Sequence, residues 1–407
     1  MFSYKRSLLA FLVAVPLVFA GLIQAQAQPD ADDQEAASGG PVVDTASKSE
    51  QAATEEYWTP KRMANATPME AHTVVDEESL GAQVSTAPPG PAGVSGGALP
   101  AKQGGAEAVT AASDDEQPVF GEAQHGTKPT NPLDGPYGPF QRFTLIGKFI
   151  NYPASTIGKL FFTLNSQNFV CSASVIGTRE IVTAGHCVSD GAGTFASVIT
   201  FCPSFNQGGV NPQRGCWSRT GTVTSGSWHF SGDPDFDYAK VQLATMGTVH
   251  NNSVGNITGS MSFGWNWGNS HAEMSFGYPQ GAPFDGTVIT QVPSAIWYEH
   301  DFTAGSQVSK VMGNDMTGGS SGGPWVLNWS HVNAERPDTD GSDATDPKPL
   351  GVPFVVGVNS HKRCVTSCQV PPTTTNGLFW QEMTSPPSIA SGASAEDWFD
   401  ILTFVFS

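Results

Sequence analysis

Short apolar runs, broken by polar turn residues, fill the chain from Phe143 onward. They recur roughly every 8 to 15 residues, at 145–150, 160–164, 198–201, 288–292, 326–329 and 352–358. Clusters of Gly, Pro, Asn and Asp separate them. Many short strands with such punctuation predict antiparallel sheets closed into barrels. Residues 396–406 read as a packed terminal helix, although their period also fits a strand. The first 27 residues follow another pattern. Lys5 and Arg6 precede an apolar stretch over 7–23, and Ala25-Gln26-Ala27 forms a small-x-small cleavage site. This is the pattern of a secretory signal, and Pro16 interrupts it as a membrane span. Residues 28 to about 136 are poor in Ile, Leu and Phe. They cannot bury enough apolar surface to offset chain ordering, so disorder is expected there. One island differs. Tyr57-Trp58-Thr59-Pro60-Lys61-Arg62-Met63 places an aromatic pair in a polar background and reads as a docking element.

Composition supports the β reading. Only 14% of residues are charged, while Gly (45) and Pro (30) are abundant, which suits a loop-rich β protein. The net charge of −18 argues against nucleic acid as a partner, because phosphate binding needs a basic surface. Much of that charge lies outside the strand-rich part: residues 28–136 carry 18 acidic and 5 basic side chains. All six cysteines fall between Cys171 and Cys368. An even count behind a secretory signal implies disulfides, an oxidising compartment and a secreted protein, extracellular or periplasmic. The cysteines lack CxxC spacing, so a zinc site is not expected, nor is any cofactor.

Candidate chemistry concentrates in Gly318-Gly319-Ser320-Ser321-Gly322-Gly323-Pro324. Glycines on both sides of Ser321 let the backbone turn sharply and leave space above its hydroxyl. The N–H groups of Gly319 and Ser321 are candidate oxyanion donors. A serine needs a base to become a nucleophile. His186, in Thr183-Ala184-Gly185-His186-Cys187, follows the apolar runs at 171–176 and 181–182. Asp237 heads the alternating run Asp237-Tyr238-Ala239-Lys240-Val241-Gln242-Leu243. It is preferred over Asp233 and Asp235 because alternating apolar residues follow it directly. The order His, Asp, Ser resembles the chymotrypsin-type serine peptidases. The nearer resemblance is to the secreted bacterial branch that includes the glutamyl endopeptidases, and Gly277-Tyr278-Pro279 and Pro283-Phe284-Asp285-Gly286 add to it.

The resemblance implies an all-β fold over residues 143–407. Two six-stranded antiparallel β-barrels would hold the active site in the cleft between them. His186 and Asp237 would come from the first barrel and Ser321 from the second. Residues 1–27 would be a signal peptide and 28–142 a largely disordered propeptide, with a cut after Arg142 as one candidate. Ser321 would attack, His186 would carry the proton, and Asp237 would orient the imidazole. Ser360 matches the strand that binds substrate backbone and supports the Asp. The resemblance pairs Cys171 with Cys187, which leaves Cys202–Cys216 and Cys364–Cys368 as the remainder. Gly185 stands where alanine is usual, a change expected to be tolerated. Ser320 stands where the trypsin branch has Asp, so no ion pair to a new N-terminus is expected there. The partners implied are polypeptide substrates and the chain's own propeptide, for a monomer free of the membrane once its signal is removed.

The signs of specificity conflict. Asp315 lies six residues before Ser321, where the trypsin branch selects Lys or Arg. His361, Lys362 and Arg363 follow Ser360 at the expected pocket rim, and their positive charge favours Glu or Asp. The acidic reading is preferred, with Lys/Arg as its alternative and four solvent-facing side chains as the bland one. Asp338, Asp340, Asp343 and Asp346 read as a solvated acidic insertion rather than a calcium loop. Two rival functions arise. Gly319-Ser320-Ser321-Gly322-Gly323 also fits the G-x-S-x-G of α/β-hydrolases, but a strand-like run follows where that elbow needs a helix. A secreted peptidase-like binding protein that has lost turnover is the other.

Overall fold

The computed structural model describes residues 40–74, 91–100, 143–144, 149–267, 272–281, 284–302, 308–329, 352–364, 382–388 and 398–406. The signal, the Arg142 cut, the 338–346 loop and the Cys364–Cys368 bridge lie outside the described residues. No helix among the described residues is long and apolar enough to cross a membrane.

Six strands make the first barrel: β1 (Ile157–Leu164), β2 (Gln167–Val175), β3 (Glu180–Thr183), β4 (Ser197–Pro203), β5 (Trp217–Ser225) and β6 (Ala239–Leu243). Their pairing runs β1-β2-β3-β6-β5-β4 and returns to β1, all antiparallel, so the sheet closes. The second half uses β7 (Ala272–Gly277), β8 (Thr290–His300), β9 (Ser309–Gly313), β10 (Pro324–Leu327), β11 (Phe354–Val358) and β12 (Glu382–Ser385). It repeats the same permutation, with ladders β11-β10-β7-β8-β9-β12. The seam between β11 and β12 carries no ladder. Two bonds join it instead: Ser360 N–H to Thr384 O and Val358 N–H to Ser385 Oγ, both 2.9 Å. The sheets are therefore barrels, as the punctuated strand pattern predicts.

The expected bridges Cys171–Cys187 and Cys202–Cys216 are both present. Each closes a loop of about 15 residues, worth about 3 kcal/mol in the chain-entropy account. The terminal helix is Trp398–Thr403. Its Trp398 meets the Tyr238 ring edge-on at 5.6 Å and so buttresses the residue next to Asp237. Lys240 donates to Leu402 O at 2.8 Å and also to Phe404 O, which fixes the tail on the barrel.

An antiparallel barrel strand normally shows polar residues on its outer face. β1 does not: Leu160, Phe161 and Phe162 are all buried. The acidic segment explains this. Of the region read as disordered, residues 40–74 and 91–100 are folded onto the barrels. Pro41–Thr45 pairs antiparallel with β5 over five residues. The helix Lys48–Tyr57 starts at a capping box, Ser47 with Glu50. Trp58 then packs on Phe161 at 5.4 Å and donates from Nε1 to Val198 O at 2.6 Å. The aromatic island is thus a docking element, as expected. Val198 holds a φ of +53°, costly for a β-branched residue and maintained by the packing around it. Gly93–Val94 adds a short strand to Ser262–Trp265 beside β11.

Candidate active site

His186 sits on a 3₁₀ turn, Gly185–Cys187, directly after β3. The Cys171–Cys187 bridge pins that turn to β2. Trp228 lies across it, with its ring 6.2 Å from the imidazole. A Cβ on Gly185 would meet Trp228 Cδ1 at 2.6 Å and Asp237 Oδ1 at 3.0 Å. Glycine here is therefore not merely a tolerated replacement for the usual alanine: the indole occupies the methyl's place.

Asp237 follows the 3₁₀ turn Pro234–Phe236 and is fully buried. Its Oδ1 accepts His186 N–H at 2.7 Å, and its Oδ2 lies 2.8 Å from His186 Nδ1. Ser360 Oγ also donates to Oδ2. Burial works against the carboxylate, but the imidazole opposite and these hydrogen bonds outweigh it and hold its pKa below the usual value. Asp235, the rejected candidate, faces elsewhere: it accepts from Phe302 N–H at 3.0 Å, and from Ser309 N–H and Oγ at 3.2 and 2.6 Å.

Ser321 lies on the loop between β9 and β10. Gly319 holds a φ of +94° and Gly322 one of +77°. A Cβ on Gly322 would fall 2.0 Å from Thr183 Oγ1 and 2.5 Å from Ser172 O. Gly322→Ala is expected to cost several kcal/mol, through strain and overpacking together, read as a lowered melting temperature. Asn359, unnoticed in the sequence, ties this loop down. Its N–H bonds Gly323 O at 2.8 Å, its O accepts Gly322 N–H at 2.7 Å, and its Nδ2 donates to Ser320 O at 3.1 Å. Trp325 Nε1 and Ser275 Oγ orient its amide by donating to Oδ1 at 2.8 and 2.7 Å. Only a continuous network of this kind fixes a glycine-rich loop, and no sequence signal marks it.

The site is occupied by the chain itself. Met69 O accepts Gly319 N–H at 2.8 Å and lies 3.1 Å from Ser321 Oγ, its donor. His186 Nε2 is buried without a hydrogen-bond partner among the described residues. A cavity of about 370 Å³ beside it is lined by Met69, Leu164, Phe169, His186, Asp190 and Trp228. Glu70 rests over Gly318, where a Cβ would touch its side chain at 3.0 Å.

His361 and Lys362 do not form an open rim. With Arg363 they are buried, because residues 71–74 pair along the strand His361–Cys364 and cover it. His361 Nδ1 lies 2.6 Å from Ser360 Oγ. That hydroxyl already donates to Asp237, so it accepts here and fixes the His361 tautomer. Burial lowers the His361 pKa to about 3, so the ring stays neutral. Burial also lowers the Lys362 pKa to about 8, opposed by the charges of Glu70, Asp315 and Glu382. Arg363 is engaged by Glu382 through two bonds of 2.9 and 3.2 Å. Asp315 is half-buried within the field of Lys362, which offsets the charge a Lys or Arg substrate would need there. The described cluster of Cys171, His186 and Cys187 is no metal centre, since both sulfurs are spent in the disulfide.

No protein-family model matches the sequence. The chain is 29% identical over 175 residues to the glutamyl endopeptidase of Bacillus licheniformis, covering 42% of this chain and 49% of the relative. It is 27% identical over 186 residues to an extracellular metalloprotease of Bacillus subtilis, covering 44% and 53%. The chain spans about half the length of the curated relatives it matches. Among solved structures, a thermostable serine protease AL20 from an extremophilic microorganism aligns with a TM-score of 0.46 at 26% identity, over 61% of this chain and 98% of that one. In sequence, this chain is similar to the glutamyl-endopeptidase branch of the chymotrypsin-type serine peptidases, and its paired barrels are the architecture that resemblance implies.

Proposed function

We propose that the chain is a secreted serine endopeptidase, made with a signal over 1–27 and a propeptide over 28–142. Its catalytic part, residues 143–407, needs no cofactor. The observation that carries this reading is the buried His186–Asp237–Ser360 cluster beside a serine whose hydroxyl and neighbouring Gly319 N–H meet on one carbonyl oxygen. Ser321 Oγ bonds to the scissile carbonyl carbon while its proton passes to His186 Nε2. The Gly319 and Ser321 N–H groups stabilise the oxyanion, each worth roughly 10²–10³ in turnover. The C–N bond then breaks and the nitrogen takes the proton from His186. Water releases the acyl group from Ser321 by the same route. Asp237 keeps the imidazole in the tautomer that leaves Nε2 free to accept.

Lys362 favours a Glu or Asp side chain before the scissile bond. Under the covering strand burial lowers its pKa to about 8, and removing that strand takes away part of the burial and the charge of Glu70. A Glu side chain is charged above about pH 4.3. Selection for acid is therefore expected where both groups are charged, and kcat/KM for Glu substrates should fall at alkaline pH as Lys362 loses its proton. A peptide library varied at the residue before the cut, read at pH 6.5 and 9.5, tests this. In Lys362→Gln the preference for Glu over Gln should shrink about tenfold or more, since a charged hydrogen bond is worth 1.5–3 kcal/mol. Preference for Lys or Arg would transfer the pocket to Asp315.

A further inference from the structure

We propose that residues 67–74 are a built-in inhibitor threaded through the cleft against the direction of cleavage, with Glu70 seated over Gly318. The inference rests on the peptidase reading and adds the regulation of the same site.

The segment crosses the site from one barrel to the other. Thr67–Pro68 pairs with Phe169–Val170 of β2, and Met69 N–H bonds Val170 O at 2.9 Å. Met69 O then sits on Gly319 N–H and Ser321 Oγ. Ala71–Val74 pairs with His361–Cys364. Both pairings are parallel. The carbonyl beside the serine is thus held as a reacting carbonyl would be, in a strand that covers both sides of it.

Its two substituents are on the wrong sides. Attack at Met69 would expel the Glu70 nitrogen, and that nitrogen needs a proton from His186 Nε2. Yet Met69 shares the cavity with His186, while Glu70 lies over Gly318. The imidazole therefore faces the acyl side of the bond, and the departing amine has no proton donor. The serine hydrogen is directed at the Met69 oxygen rather than toward a base. A strand bound this way fills the oxyanion site without being consumed. Glu70 helps seat it: its side chain covers Gly318, and its Oε1 lies 3.7 Å from His72 Nε2.

The test uses the full chain. Labelling of Ser321 by a small fluorophosphonate is compared between the unaltered chain and Glu70→Lys, with Ser321→Ala as blank. Mass spectrometry follows the bonds of residues 67–74, and amide exchange follows 67–74 and 361–364. Glu70→Lys reverses the charge over Gly318 and lengthens the side chain packed there, and should raise labelling and exchange at least tenfold, while the 67–74 bonds of the unaltered chain stay intact. A misfolded variant would lose labelling instead of gaining it. Cutting at Met69–Glu70 that vanishes in Ser321→Ala overturns the backward threading. Equal labelling and exchange in both chains overturns the inhibitor. No labelling in either chain, with exchange still rising in Glu70→Lys, overturns the peptidase reading and upholds the seating of the segment.

Discussion

Ser321→Ala is expected to lower turnover of the processed protein by about 10⁴-fold or more, with KM changed only a few-fold. The methyl keeps the loop: the bonds that hold it run through the backbone of Gly322 and Gly323, the Ser320 carbonyl and Asn359, none through Ser321 Oγ. What is lost is the one atom that attacks. Residual activity then comes from Gly319 N–H and substrate positioning, which act on attack by water. Steady-state rates on a Glu-containing peptide, with melting temperature as the control for folding, measure it. A variant that kept a tenth of the activity would move the nucleophile elsewhere.

Asp237→Asn is expected to cost about 10⁴-fold in kcat near neutral pH. The carboxylate accepts three hydrogens, from His186 N–H, the His186 ring and Ser360 Oγ. An amide offers one oxygen and one NH₂. If the oxygen stays on the backbone N–H, the NH₂ faces Nδ1 and selects the tautomer with its proton on Nε2. That nitrogen then has no lone pair for the serine proton. Asp235→Asn is the contrast. Its acceptor bonds go to Phe302 and Ser309, so it should lower stability by about 1–3 kcal/mol and leave saturated turnover within a few-fold. If Asp235→Asn abolished turnover and Asp237→Asn did not, the two roles would be exchanged.

The parts of this site that were legible in the sequence are local. Glycines flanking a serine, a histidine after an apolar run and an aspartate before an alternating strand each announce themselves within a few residues. The barrels were legible because turn residues punctuate their strands. Asn359 was not, because its partners Ser275 and the Ser320–Gly323 loop lie far from it and from each other in the chain. Trp228 covers His186 from a short helix with no motif of its own. The acidic segment misled for a related reason. Its composition is that of a disordered chain, and only Tyr57, Trp58 and Met63 signal burial. The rest of its order comes from edges and pockets that the barrels supply, such as Pro41–Thr45 on β5 and Ala71–Val74 on His361–Cys364. Lys362 was expected at an open pocket rim; it is buried instead, by the covering strand 71–74, which cannot be read from its own residues.

The five-residue ladder on β5 and the Trp58 anchor on Phe161 have a consequence for timing. A backbone cut between residues 101 and 142 would break one bond and none of these contacts. The fragment would stay seated, and the nicked molecule would be as silent as the uncut one. Awakening would then follow a second clock, the destruction or slow escape of the fragment. Freshly cut protein would be a dormant store whose onset of digestion lags cleavage, by a delay that shortens with dilution and is lengthened by added fragment.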